Sequence, residues 1–281
     1  MKPGSTEGRG EVCDYPAARS INSMNTHSTA IIHSRAQLAS SVTVGPYSLI
    51  GENVELGEGT EVISHAVIEG HTRIGKNNRI FPYASIGFAP QDVKYRGEPT
   101  RVEIGDGNTI REFVSIHRAN TLEEGVTRIG NHNLLMAYVH IAHNCTLGDH
   151  IIMGNGASLA GHVAVQDHAT VGPYCFIHQF SRVGAYGFLG PYSAVNQDIL
   201  PYSKTTAPRP LGVYGINTIG LERRGLPPDD IKELEAAFRL LTRSKLNTTQ
   251  ALEAIAAKGF QSPHVKALVE FIRDSKRGVA K

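Results

Sequence analysis

The sequence predicts a mainly β protein, a parallel β-helix of hexapeptide repeats followed by an α-helical C-terminal subdomain. An aliphatic residue recurs at every sixth position along most of the chain between Ile32 and Val195. Neither the period of an α-helix nor that of a β-strand fits this spacing, whereas the hexapeptide β-helix has a period of six. The spacing ends after Gln197, and from Pro227 onwards apolar residues recur at helical spacing.

The repeat comprises 25 hexads, ten from Ile32 to Ile86, three from Ile104 to Ile116 and twelve from Ile129 to Val195. Three hexads make one triangular coil, so residues 18 apart should lie one above the other at about 4.8 Å. Fixing one coil costs roughly 18–36 kcal/mol of backbone entropy, whereas burying its three aliphatic side chains gains only about 5–9 kcal/mol. We therefore expect stacked coils that leave function to the outer faces and corners.

Two segments, 88–103 and 117–128, interrupt the repeat. Insertions in a solenoid form loops on one face, which is often the binding face. If the surplus residues loop out, Ile86, Ile116 and Ile141 share one face of the prism. Both loops then leave from the same corner, where we expect the chemistry.

Composition excludes several classes of protein. The 28 Lys and Arg and 26 Asp and Glu give a net charge of +2, too small for the cationic footprint of a nucleic-acid-binding protein. No apolar run is long enough for a membrane span, and the first 25 residues lack a secretory signal, so we expect a cytoplasmic protein. Cys13, Cys145 and Cys175 form no CxxC pair, which fits a reducing compartment.

The segments outside the repeat have their own signals. Pro227 and the residues after it open an apolar helical stripe, Thr248 can cap a second helix that ends at Gly259, and Ser262 starts a third. The N-terminal segment is polar, glycine-rich and aperiodic. We predict a disordered tail at 1–23, the β-helix at 24–200, and a connector with the helical subdomain at 201–281.

A histidine cluster follows from the 18-residue arithmetic. His143, Gly161 and Gln179 differ by 18 each, His162 lies next to Gly161, and His140 precedes the aliphatic residue of its hexad. Turns of repeat proteins often carry histidine, so one such residue alone indicates little. The cluster beside both loops favours a functional site.

These segments resemble bacterial UDP-N-acetylglucosamine O-acyltransferase, the first enzyme of lipid A synthesis. The resemblance covers about residues 28–275 and is carried by IAHNC (141–145), LAGHV (159–163), IHQF (177–180), QDVKYRGEPTRVEIGD (91–106), IREFVSIHR (110–118) and GLERRG (220–225). The hexapeptide repeat marks only a superfamily, whereas QDVKY with GEPT, IHR and GLxRRG are particular to this family.

The resemblance implies a homotrimer of left-handed β-helices with active sites between subunits, and no cofactor or metal. An (R)-3-hydroxyacyl chain would pass from hydroxyacyl-acyl carrier protein to the glucosamine 3-hydroxyl of UDP-N-acetylglucosamine. His143 matches the general base, and neutral imidazole suits this role near pH 7. The backbone N–H of Gly161 matches the oxyanion donor.

The resemblance also assigns residues that bind the substrates. Guanidinium groups such as those of Arg223 and Arg224 suit a phosphate group of the nucleotide or contact with the acyl carrier. The family's other substrate contacts correspond to Asp92, Lys94, His117, His140, His162 and Gln179, and its acyl-length ruler to Leu189, Gly190 and Pro191.

Three positions depart from the family pattern. Asn144 follows His143 where the family usually has Asp, and an amide can orient the imidazole but cannot stabilise its cation by charge. Ile219 stands where a nucleotide-contacting Glu is common. Pro191 stands where a smaller residue opens a longer groove, so we expect an acyl chain at the shorter end of the range.

Three alternatives stay open on the sequence. Trimeric hexapeptide proteins include carbonic-anhydrase-like enzymes, and His140 and His143 with His117 or His162 could bind zinc. A paralogous N-acyltransferase acts later in the same pathway, although we do not recognise here the N-terminal uridine-binding domain expected of it. A purely structural solenoid would leave both loops and the histidine cluster without a role.

Overall fold

The computed structural model describes residues 25–206 and 211–281. Residues 1–23, for which we predict a disordered tail, lie outside the described residues. In the described part, 25 short strands follow one another, one for each predicted hexad. They are β1 (Ile31–Ile32), β2 (Gln37–Leu38), β3 (Thr43–Val44), β4 (Leu49–Ile50), β5 (Val54–Leu56), β6 (Glu61–Val62), β7 (Val67–Ile68), β8 (His71–Ile74), β9 (Arg79–Ile80), β10 (Ser85–Phe88), β11 (Arg101–Ile104), β12 (Thr109–Ile110), β13 (Ser115–His117), β14 (Val126–Ile129), β15 (Leu134–Leu135), β16 (His140–Ile141), β17 (Thr146–Leu147), β18 (Ile152–Met153), β19 (Ser158–Leu159), β20 (Ala164–Val165), β21 (Thr170–Val171), β22 (Phe176–Ile177), β23 (Arg182–Val183), β24 (Phe188–Leu189) and β25 (Ala194–Val195).

Every third strand belongs to the same parallel sheet, so the chain winds as a left-handed parallel β-helix with three faces. Face 1 runs from β1 through β10, β13 and β16 to β25, face 2 from β2 to β23, and face 3 from β3 to β24. Ile86 pairs with Ile116, and Ile116 with Ile141. The predicted shared face is therefore confirmed, and both insertions leave from the corner between faces 1 and 2, called corner 1–2. The other corners are 2–3 and 3–1.

The interior is filled by the aliphatic columns. From Val44 to Val195 the aliphatic residue of every hexad is buried. Buried asparagines line one inner corner, where the backbone N–H of Asn108 donates to Oδ1 of Asn78 at 2.9 Å and that of Asn133 to Oδ1 of Asn108 at 2.9 Å. These bonds satisfy the amides that the apolar interior would otherwise leave unpaired.

A β-hairpin and four helices follow the repeat. The hairpin extends face 3, where the sequence indicated only a connector. The three predicted helices are present, but Asn247 rather than Thr248 caps the second one, because its side chain accepts from the backbone N–H of Gln250 at 2.9 Å. The elements are β26 (Ser203–Thr206), β27 (Gly212–Ile216), α1 (Thr218–Arg223), α2 (Pro228–Thr242), α3 (Thr248–Lys258) and α4 (Pro263–Arg273).

The helices have a core of their own. The stripe predicted for α2 is buried, including Ile231, Leu234 and Phe238, and packs with Leu268 of α4. Each helix in the described part of the chain is too short or too polar to span a lipid bilayer.

Candidate active site

The site is built where successive coils turn from face 1 to face 2. The backbone N–H of His162 donates to the carbonyl of His143 at 3.0 Å, and the N–H of Phe180 donates to the carbonyl of Gly161 at 3.2 Å. Asn144, His162 and Phe180 each take a left-handed backbone conformation, with φ of 59°, 63° and 62°. Residues 18 apart are therefore vertical neighbours at corner 1–2, as predicted.

Gly161 leaves the space that the His143 ring occupies. A Cβ on Gly161 would lie 2.5 Å from Cε1 of His143 and 2.7 Å from Nε2, closer than side chains approach. Among the described residues no acceptor is hydrogen-bonded to the N–H of Gly161. This buried glycine thus holds an unused backbone donor beside the imidazole.

Asn144 fixes the tautomer of His143. Nδ1 of His143 lies 2.9 Å from Oδ1 of Asn144. That oxygen also accepts from the backbone N–H of Asn120 at 3.0 Å, while Nδ2 of Asn144 donates to the carbonyl of Leu122 at 2.9 Å. The orientation of the amide is set by these partners. An amide oxygen only accepts, so Nδ1 carries the proton and Nε2 keeps its lone pair.

Both inserted loops connect to this amide. Nδ2 of Asn120 donates to Oδ2 of Asp92 at 3.0 Å, and the backbone N–H of Lys94 donates to Oδ1 of Asp92 at 2.9 Å. These two bonds, with the nearby His143 and Lys94, hold the pKa of Asp92 below its ordinary value. The side chain of Lys94 is exposed. A hydrogen-bonded path thus runs from the first loop through the second to His143.

The loops are shorter than the sequence indicated. Strands β10 and β11 leave 89–100 between them, and β13 and β14 leave 118–125. Strand pairing thus extends into both ends of the interruptions at 88–103 and 117–128.

His117 and His140 lie side by side on face 1. Their rings meet edge to face with centroids 5.1 Å apart, and Nδ1 of His140 lies 2.8 Å from Oγ of Ser115. Burial, together with the neighbouring His140, His143 and Arg118, lowers the pKa of His117 to about 4. Burial and His143 also lower the pKa of His140. Both imidazoles are therefore neutral near pH 7 and act as polar groups without charge.

Two buried ring nitrogens have no hydrogen-bond partner among the described residues, Nδ1 of His117 and Nδ1 of His162. The ring of His162 lies edge to face against His143 with centroids 5.2 Å apart and stacks on Phe180. Its Nδ1 is 3.3 Å from Oε1 of Glu123, but the two atoms are not aligned for a hydrogen bond. Unpaired buried nitrogens are costly unless a ligand satisfies them.

An open groove of about 660 Å³ lies along face 1 at the last coils of the β-helix. Phe176, His178, Val195 and Leu211 are among the residues that line it. Gln179, the third member of the predicted column, follows His178 and is exposed. The groove therefore begins two coils from His143.

The remaining predicted residues lie at other corners of the same chain. Arg223 ends α1, and Nη1 of Arg224 lies 2.7 Å from Nδ1 of His168 at corner 2–3. Leu189 and Gly190 are buried and Pro191 is exposed at corner 3–1. The three corners of a triangular prism face three directions, so one chain does not bring these groups to His143. Their roles stay predictions. Ile219, on α1, is 61% exposed.

The sequence did not single out Ser115, Asn120 and Glu123. Ser115 pairs with His140 in the sheet, so the register between Ile116 and Ile141 could have revealed it. Asn120 and Glu123 lie in an insertion, where no repeat indicates which residues meet.

The described residues, 25–206 and 211–281, include no group of three or more His, Cys, Asp or Glu side chains arranged to hold a metal ion. The zinc alternative therefore has no donor set among them.

The chain is similar to known proteins over most of its length. The family model for domain 2 of UDP N-acetylglucosamine O-acyltransferase matches residues 198–280, and the bacterial transferase hexapeptide model matches 126–161. The acyl-[acyl-carrier-protein]--UDP-N-acetylglucosamine O-acyltransferase of Thermodesulfovibrio yellowstonii is 48% identical over 255 residues, which cover 91% of this chain and 98% of the relative. The protein of the same name from Syntrophobacter fumaroxidans is 44% identical over 256 residues, covering 91% of this chain and 99% of the relative.

Solved structures agree. The UDP-N-acetylglucosamine acyltransferase of Francisella novicida superposes with a TM-score of 0.88 at 42% identity, over 91% of this chain and 93% of its own. The Arabidopsis enzyme superposes with a TM-score of 0.80 at 32% identity, over 91% of this chain and 100% of its own.

Proposed function

Because the chain belongs to the UDP-N-acetylglucosamine O-acyltransferase family, we propose that it transfers an (R)-3-hydroxyacyl chain from acyl carrier protein to the glucosamine 3-hydroxyl of UDP-N-acetylglucosamine. The chain is an acyltransferase. One observation carries the mechanism. The imidazole of His143, with its lone pair fixed on Nε2, lies next to Gly161, whose backbone N–H has no acceptor among the described residues.

His143 acts as the general base. Its Nδ1 is hydrogen-bonded to Asn144, so the lone pair is on Nε2, which accepts the proton of the sugar hydroxyl as the hydroxyl oxygen attacks the thioester carbonyl. Positioned imidazole bases contribute roughly 10²–10⁴-fold to such reactions. The proton then passes from His143 to the thiolate that leaves with the carrier.

Gly161 stabilises the tetrahedral intermediate. The negative charge that forms on the carbonyl oxygen needs a donor already in place, and such a donor contributes about 3–4 kcal/mol. The free N–H of Gly161 supports this role, because it lies beside the ring that performs the deprotonation.

Histidines of corner 1–2 and the first loop hold the sugar. Sugar hydroxyls both donate and accept, and the unpaired nitrogens of His117 and His162 are groups that they can satisfy. The depressed pKa of Asp92 keeps that carboxylate ionised as an acceptor. Lys94, exposed on the same loop, supplies a positive charge near the nucleotide, and His140 and Gln179 complete the polar wall.

The acyl chain lies along the groove on face 1, whose apolar lining includes Phe176, Val195 and Leu211. The active unit is a homotrimer. Arg223, Arg224 and Pro191 contact the substrates of a site on a neighbouring copy, which is supported by the placement of Arg224 at corner 2–3 and of Pro191 at corner 3–1, away from His143. The cytoplasmic location stays a prediction.

The test is to incubate the protein with UDP-N-acetylglucosamine and a series of hydroxyacyl carrier thioesters and to weigh the products by mass spectrometry. A product heavier by one hydroxyacyl group, whose ester bond is cleaved by mild base, supports O-acylation. An acceptor with a 3-amino group is supplied in parallel. Preference for that acceptor, or no acylated nucleotide sugar, contradicts the proposal.

His143→Ala tests the base, with His33→Ala as the control, since His33 is an exposed histidine in the first coil. We expect a loss of about 10²–10⁴-fold in kcat for the first variant and none for the second, because only His143 lies beside the free donor. A His143→Ala variant that keeps more than about a tenth of the wild-type rate contradicts the assignment.

A further inference from the structure

A second column of histidines occupies corner 2–3, where the proposed chemistry does not use it. The rings of His132 and His150 stack with centroids 5.1 Å apart, and those of His150 and His168 stack at 4.9 Å. Tyr186 continues the column 4.7 Å from His168. The three histidines have φ of 56°, 57° and 61°, so the left-handed turn of each coil points its ring outwards along the same edge.

The side chain of Arg224 contacts two rings of this column. Its Nη1 lies 2.7 Å from Nδ1 of His168, and its guanidinium carbon lies 5.9 Å from the centroid of the Tyr186 ring. A guanidinium only donates, so Nδ1 of His168 accepts and the ring proton is on Nε2. The contact therefore exists only while His168 is neutral.

Protonation of His168 would place a second proton donor and a positive charge against the guanidinium. Burial, Arg224 and His150 hold the pKa of His168 below its ordinary value, against the opposing effect of two carboxylates. The ring is thus neutral at pH 7 and gains a proton only in acid. The titratable and charged groups that face it are Arg224, His150, Tyr186, Asp149 and Asp167.

We propose that His168 is a positioning residue for Arg224, which it holds in place only in its neutral form. The inference rests on the proposed function, in which Arg224 contacts a substrate, and a phosphate group is what its guanidinium suits best. That phosphate belongs either to the nucleotide sugar or to the prosthetic group of the carrier. Acidification would release Arg224 and weaken the binding of that substrate, separately from any effect on His143.

Two substitutions separate the hydrogen bond from the ring stack. His168→Asn places Oδ1 where Nδ1 stands, does not titrate, and tolerates the left-handed backbone. His168→Phe keeps the ring beside Tyr186 but removes the acceptor. KM for UDP-N-acetylglucosamine and KM for the hydroxyacyl carrier are measured between pH 5.5 and 8 for both variants and the wild type.

We expect the wild-type KM for one of the two substrates to rise as the pH falls, towards a limit about tenfold above its neutral value, because a hydrogen bond to a charged group is lost. In His168→Asn that KM stays at the wild-type neutral value at every pH. In His168→Phe it is about tenfold higher at every pH. The dependence of kcat on pH is the same in all three proteins. The substrate whose KM responds identifies the source of the phosphate.

A wild-type KM that does not change with pH for either substrate overturns the proposal, as does a His168→Phe variant with wild-type values. If His168→Asn matches His168→Phe at neutral pH, the acceptor is not what matters and the proposal is also overturned.

A second measurement needs no turnover. The pKa of His168 is followed by NMR of its ring carbon–proton signal, assigned with His168→Asn, in the wild type and in Arg224→Ala. We expect this pKa to rise when the guanidinium is removed. An unchanged value overturns the inference whether or not the protein acylates UDP-N-acetylglucosamine. Absence of product with a shifted pKa would instead reject the proposed function and leave the contact between His168 and Arg224 established.

Discussion

Replacing Gly161 with alanine is the sharpest test of the geometry at corner 1–2. The added methyl carbon would lie 2.5 Å from Cε1, 2.7 Å from Nε2 and 3.1 Å from Nδ1 of His143. Carbon atoms in contact prefer about 3.5–4.0 Å, so the imidazole must withdraw by about 1 Å. Asn144 holds Nδ1 at 2.9 Å, and the withdrawal therefore strains or breaks that hydrogen bond. The backbone of Gly161 is not left-handed, so alanine itself is tolerated there.

A displacement of about 1 Å in a catalytic group costs on the order of 10²-fold in rate. We expect Gly161→Ala to lower kcat by about that factor, with KM for both substrates changed less than threefold. The alanine keeps its backbone N–H, so the loss reports on the displaced base more than on the oxyanion donor. The fold should persist, because the imidazole is half-buried at the corner and has room to move outwards.

The assay compares steady-state kinetics and thermal unfolding of Gly161→Ala with those of Gly212→Ala. Gly212 is the matched control, since no atom of the described residues beyond its chain neighbours lies within 4 Å of a Cβ at that position and its backbone is not left-handed. We expect wild-type kcat for the control. If Gly161→Ala retains more than about a third of the wild-type kcat, the reasoning that glycine makes room for the base is refuted.

Three further predictions concern other parts of the site. Arg223→Ala should raise KM for the nucleotide sugar or the carrier by about tenfold with a smaller change in kcat, since it removes a phosphate-binding guanidinium; unchanged KM for both substrates removes that role. Pro191→Gly should shift the preferred acyl chain to a longer one in a competition among carrier thioesters, and a wild-type preference for the longest chain contradicts the assignment. The pKa of His117 is about 4 in the folded protein, against 6.5 when unfolded. The contribution of His117 to the free energy of unfolding is therefore complete above pH 6.5 and is lost as the pH falls towards 4. Urea unfolding should show a wild-type loss of roughly 1–2 kcal/mol from this group between pH 7.5 and 5, after allowance for solvent screening, and the loss should be absent in His117→Asn.

The arrangement of the repeat could be predicted because its period is strict. Three hexads close one coil, so the distance in sequence between His143 and Gly161 already determines that they are vertical neighbours. The same arithmetic could not locate Asn120, since a looped-out residue has no partner at a fixed separation. The repeat arithmetic also could not place Arg224, because this residue follows the end of the repeat. Arg224 reaches His168 at corner 2–3 from the end of α1, the helix that follows the hairpin. The hexad period therefore predicts contacts between coils but not contacts that depend on how loops and helices pack against the β-helix.

The hydrogen bonds of Asn144 give a physical reason for an amide at this position. Its oxygen accepts from His143 and from the backbone of Asn120, while its nitrogen donates to the carbonyl of Leu122. A carboxylate could accept both bonds but could not donate the third, so the carbonyl of Leu122 would face a negative charge. The amide thereby joins the second loop to the base with every polar atom of its side chain paired. In return, the imidazolium that the proposed mechanism forms on His143 would lack a charged partner at Nδ1. The carboxylate of Asp92, on the first loop, is linked to Asn144 only through Asn120. The same chain of hydrogen bonds therefore connects both loops to His143.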